Sequence, residues 1–67
     1  FMAATFEYKE VVGIATESIE AAIQAGLAEV SAKYQIAWFE AVSLRGRMVD
    51  AETTEYQVTL KIGCREK

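Results

Sequence analysis

The last third of the chain alternates most regularly. Tyr56, Val58, Leu60, Ile62 and Cys64 fall on one side of an extended backbone, and Gln57, Thr59, Lys61 and Arg65 on the other. Successive strand side chains point to opposite faces, so this period of two predicts a strand from Thr54 to Arg65 with one face packed. Near the start, Phe6 and Tyr8 alternate with Glu7 and Lys9, which predicts a first strand over Thr5 to Gly13 and a short connection from Gly13 to Ala15. Between these segments the period changes. Ile19, Ala22, Ile23, Gly26, Leu27, Val30 and Tyr34 recur at spacings of three and four. That stripe predicts an amphipathic helix from Glu17 to Tyr34, N-capped by Thr16, with Glu17 and Glu20 in its first turns. Gly26 on the apolar stripe costs about 1 kcal/mol of helix propensity against Ala. A close approach of helix to sheet accounts for it.

A second strand is predicted from Trp38 to about Met48, and Asp50-Ala51-Glu52 reads as the turn that follows. Strict alternation puts Trp38 on one face with Glu40, Val42 and Leu44, and Phe39 on the other with Ala41, Ser43 and Arg45. Each face is half apolar and carries a large aromatic. The element order is therefore β-α-β-β, an α+β fold whose last two strands pair as an antiparallel hairpin. One helix and two further strands leave one face of the Trp38 strand open. An open tryptophan face calls for another subunit, a planar ligand, or both.

At 67 residues the chain forms a single domain, 1–67, with a modest core. Phe1 ahead of Met2 reads as a remnant outside the native start. The one cysteine, Cys64, excludes an intrachain disulfide and reads as a small buried hydrophobe. Histidine is absent, which removes the commonest general base and metal ligand, and the acidic residues show no metal-ligand spacing. Oligomerisation remains as the route to stability. A net charge of -3 with no basic run argues against nucleic acid as partner. No apolar run approaches a membrane span and no signal peptide is visible, so a cytoplasmic location is expected. Nothing resembles a nucleophile–base pair or a nicotinamide motif, and no enzymatic activity is expected.

The β-α-β-β order, the strand Trp38-Phe39-Glu40, the segment Leu44-Arg45-Gly46, the stretch Glu55-Tyr56-Gln57-Val58-Thr59 and the helix segment Glu20 to Ala28 together resemble the dodecins, bacterial members above all. The resemblance runs from Tyr8 to Arg65. It implies a three-stranded antiparallel sheet partly wrapping one helix, and a hollow homododecamer. It also implies non-catalytic binding of a flavin, FMN or riboflavin, for storage and photoprotective sequestration, in antiparallel pairs between subunits. Trp38 then matches the tryptophan that sandwiches the ring, Gln57 the amide that bonds its polar edge, and Arg45 an arginine near a phosphate-bearing tail.

From the residues alone, Trp38 reads equally as a subunit-interface aromatic, Gln57 as a solvent-facing strand residue, and Arg45 and Arg47 as a solvated strand end or an inter-subunit salt bridge. Tyr56 reads as packing. The alternative is a structural oligomer or cage with an unoccupied or non-flavin site. Two positions depart from the family pattern. Ala37 stands where an acidic residue is common, and Glu29 lies in a helical region that is often basic, which weighs against coenzyme A binding there.

Overall fold

Why the chain folds around its last strand is clear from that strand's alternation. The computed structural model describes residues 5–67, so Phe1 lies outside the described residues. The elements are β1 (Glu7–Ala15), α1 (Ile19–Ser31), β2 (Tyr34–Met48) and β3 (Thr54–Glu66). The sheet order is β1-β3-β2, with both pairings antiparallel. β3 is central, and one of its faces lies under the helix. There Val58, Leu60, Ile62 and Cys64 are almost fully buried and, with Ala22 and Val30 of α1, form the core. Each large apolar side chain removed from water there contributes about 1.5–3 kcal/mol. Tyr56 and Ile36 pack at its margins, so Tyr56 is a packing residue as expected.

Element boundaries differ from the sequence reading for local reasons. β1 starts and ends two residues later, because Gly13, Ile14 and Ala15 pair with Val58, Gln57 and Tyr56 instead of forming a link. The helix is N-capped by Ser18, whose hydroxyl accepts from the Ala21 N–H at 3.0 Å; Thr16 is not the cap. The helix also stops at Ser31, well before Tyr34. Tyr34 instead opens β2 opposite Glu66, with the Lys9 ammonium 4.7 Å from its ring centroid. The Tyr34 hydroxyl beside it raises the Lys9 pKa above its ordinary value. Ile19, placed on the apolar stripe, is an exposed first-turn residue.

The β2–β3 connection uses no left-handed residue among the described ones. Asp50 closes it: one carboxylate oxygen accepts the N–H groups of Glu52 and Thr53, both at 2.9 Å. These bonds, the Glu52 amide foremost, hold the Asp50 carboxyl below its ordinary pKa.

The helix leans on β1 and β3 and touches β2 least. Phe39, Leu44 and Met48 are thus exposed although their register partners, Ile62, Val58 and Thr54, belong to the helix side of β3. The radius of gyration is 14.0 Å, against about 11 Å for a compact domain of this length. So extended a chain with so much bare apolar surface marks an interaction surface.

Two glycines set the helix height. A Cβ on Gly13 would strike the Ala22 carbonyl oxygen and lie 3.0 Å from the Gly26 nitrogen. A Cβ on Gly26 would lie 2.7 Å from Leu60 Cδ1, a side-chain end that can turn aside. The expected close approach at Gly26 is therefore real, and Gly13 is its other half. Gly13→Ala should lower the melting temperature much more than Gly26→Ala. The second substitution regains about 1 kcal/mol of helix propensity against the repacking of Leu60. Equal losses in a thermal melt would contradict this account of the contact.

Candidate functional site

The sheet face away from the helix carries the chemistry, and two irregularities in β2 decide what stands on it. Ile36 pairs with Cys64 and Trp38 with Gly63, so Ala37 is an extra residue; Ala41 pairs with Leu60 and Ser43 with Thr59, so Val42 is another. Each bulge reverses the side-chain alternation beyond it. The first turns Trp38 to the outer face, and Glu40 follows opposite Lys61. The second turns Ser43, Arg45 and Arg47 to that same face, opposite Thr59, Gln57 and Glu55. Strict alternation had separated Arg45 from Trp38 and joined Val42 and Leu44 to it. The structure corrects this: Leu44 lies on the helix side opposite Val58, and Val42 sits in the bulge.

Trp38 lies on the backbone of Gly63. A Cβ there would run into the indole Cε2, with Cζ2 at 2.5 Å and Cδ2 at 2.7 Å. Those three contiguous atoms belong to the six-membered ring, so a ring face, not an edge, covers the glycine. Phe6 stands beside the indole at 5.0 Å between centroids, tilted 60°, and Tyr8 meets it edge-on at 6.0 Å and 84°. Aromatic pairs in such geometry add about 0.5–1.5 kcal/mol beyond area burial. The indole is thereby fixed, yet Trp38 remains 42% exposed. Cations frame the cluster: Lys61 Nζ is 4.5 Å from the Tyr8 ring centroid, and the Arg65 guanidinium 5.6 Å from that of Phe6.

Further along the same face runs a polar chain. Arg45 Nε donates to Gln57 Oε1 at 3.0 Å, and Gln57 Nε2 donates to Glu55 Oε1 at 2.9 Å. Arg47 Nε donates to the same Glu55 oxygen at 2.8 Å, a salt bridge within one subunit. The bonds from Arg47 and then Gln57 hold the Glu55 carboxyl below its ordinary pKa, and Glu55 in turn raises that of Arg47.

Of the residues singled out in the sequence, Arg45 and Gln57 are brought together and Trp38 is not. Gly63 and Gln57 are six positions apart on β3, about 20 Å at 3.3 Å per residue. That exceeds the length of a tricyclic ring. Among the described residues, moreover, one subunit encloses no cavity. Phe6, Tyr8, Gly63 and Glu55 were not marked from sequence as site residues. Gly63 had a readable signal: a lone glycine inside a regular strand marks a close approach.

The comparisons with known proteins agree with this architecture. Residues 5–67 match the sequence profile of the dodecin family. The chain belongs to the dodecins. It is 40% identical over 65 residues to dodecin of Thermus thermophilus, covering 96% of this chain and 94% of that protein. A crystal structure of a Thermus thermophilus protein superposes with a TM-score of 0.84 at 39% identity, covering 94% of both chains. Dodecin from Streptomyces davaonensis gives 0.83 at 33% identity, again over 94% of each. Dodecin membership confirms the β-α-β-β fold and supports, as a general kind, an oligomeric flavin-binding protein. No helix among the described residues is long and apolar enough to cross a membrane.

The chain has one tryptophan, so its emission reports on this site alone. Gly63→Ala should lift the indole and shift the Trp38 emission to the red while the far-UV circular dichroism stays native. An unshifted spectrum would mean that the indole does not rest on Gly63.

Proposed function

We propose that this dodecin binds flavin, FMN or riboflavin, without turning it over, between copies of itself in a homododecamer. In this reading the isoalloxazine stacks on the open face of Trp38, Gln57 bonds its polar edge, and Arg45 attends the phosphate of FMN. The observation that carries it is the seating of Trp38: one ring face occupied by Gly63, the rim held by Phe6 and Tyr8, and the indole left 42% exposed. An isoalloxazine is flat and electron-poor and an indole electron-rich, so the two stack well. A primary amide offers a donor and an acceptor together, which suits the ring's edge of carbonyls and N–H. An arginine fork suits a phosphate.

The separation of Trp38 from Gln57 along β3 favours a site assembled from two copies, Trp38 from one and Gln57 from another. The exposed apolar surface of β1 and β2 favours the same assembly. Close stacking also lets an excited flavin take an electron from the indole and return it without releasing product. That path dissipates light energy, and it supports storage and photoprotection as the role.

A structural oligomer with an unused outer face is the competing reading, because the Arg45–Gln57–Glu55–Arg47 chain is satisfied without any ligand. Two measurements separate the readings. Trp38→Ala should weaken riboflavin binding by about 1–3 kcal/mol, judged by aromatic stacking on nucleic-acid bases, with the oligomer intact by size exclusion. Unchanged affinity would remove the stacked site. Arg45→Ala should weaken FMN more than riboflavin in parallel titrations; equal losses would remove the phosphate contact.

A further inference from the structure

Gln57 sits between two partners of opposite and fixed hydrogen-bonding character. Arginine is donor-only and an ionised carboxylate is acceptor-only. Arg45 Nε takes one lone pair of Oε1 at 3.0 Å, and Glu55 Oε1 takes one N–H of Nε2 at 2.9 Å. Turning the amide over would set donors against the guanidinium and an acceptor against the carboxylate. Only one orientation satisfies both neighbours. Arg47, donating to the same carboxylate oxygen at 2.8 Å, keeps Glu55 in place. Each end of the amide still has capacity to spare: one lone pair on Oε1 and one N–H on Nε2. They stand in a fixed order, acceptor toward Arg45 and donor toward Glu55.

That order matters for the proposed ligand. The isoalloxazine edge is an N–H flanked by a carbonyl on each side. A bidentate contact uses the N–H and one of the two carbonyls. The N–H must meet Oε1, so the amide's orientation decides which carbonyl meets Nε2 and how the ring sits over the indole. We propose that Glu55 is a positioning residue that locks the polarity of the Gln57 amide and so makes the site selective for a ring edge carrying an N–H. This rests on the flavin reading above. Glu55 acts through Gln57 and, in this account, does not touch the ring.

The test compares riboflavin with N3-methylriboflavin, which lacks that N–H, by fluorescence titration of the assembled protein and of Glu55→Gln. The native protein should prefer riboflavin. In Glu55→Gln the neighbour offers both a donor and an acceptor, so only Arg45 still resists turning of the amide, and with one of its two locks lost the preference should shrink about tenfold, the scale of one charge-assisted hydrogen bond. The loss should fall on riboflavin, with N3-methylriboflavin nearly unaffected. A merely structural role for Glu55 would weaken both ligands alike and keep their ratio, and that result overturns the proposal. The native protein alone can also overturn it, whatever the variant does: equal affinity for the two ligands means that the amide does not read the N–H. No binding of either ligand by the native assembly would instead remove the flavin reading, and the role of Glu55 with it.

Discussion

Register is the constraint on which everything at the outer face depends. Strand side chains alternate with a period of two, so one extra residue exchanges the faces of all that follow. β2 contains two such residues. Ala37 brings Trp38 out onto Gly63, and Val42 brings Arg45 and Arg47 out beside Gln57 and Glu55. Remove the second bulge and Arg45 points to the helix side, away from the amide it now holds. β3 is regular throughout, so the same strand supplies an unbroken core on one face and a register for the site on the other.

Glycines do similar work on both faces. At Gly13 and Gly26 the absence of a side chain lets helix and strand backbones meet, which seats the helix over β1 and β3. At Gly63 it lets an indole lie flat on the sheet. The first contact leaves the helix side of β2 uncovered, with Phe39, Leu44 and Met48 exposed. The second presents a ring face to whatever lies opposite. Both outcomes point the molecule toward copies of itself, in keeping with a subunit more extended than its length requires.

Much of the fold was legible in the sequence. The alternation from Tyr56 to Cys64 and the three-and-four spacing through Ala22, Gly26 and Val30 mark the strand and the helix that form the core. The helix ends were less legible, because Thr16 and Ser18 are both capping residue types two positions apart, and the chain path selects Ser18. Tyr34 fits the helical stripe and a strand alike; its pairing with Glu66 decides. The face of Arg45 was hidden, since neither Ala37 nor Val42 has a composition that announces a bulge. Trp38 was marked by its open strand face, Gln57 and Arg45 were named through the family resemblance, and alternation alone had Arg45 on the wrong side. Glu55 was hidden because its importance lies in a two-residue step along one strand face to Gln57 and a cross-strand bond to Arg47.

The claim at the centre is that the exposed indole faces wall a flavin between subunits. The most direct measurement is a titration of the assembled peak from size exclusion with riboflavin and FMN, following flavin fluorescence. The account predicts strong quenching that saturates on the oligomer and disappears when the subunits are dissociated. Undiminished flavin fluorescence on the same intact particle would contradict it and leave Trp38 as an element of assembly alone.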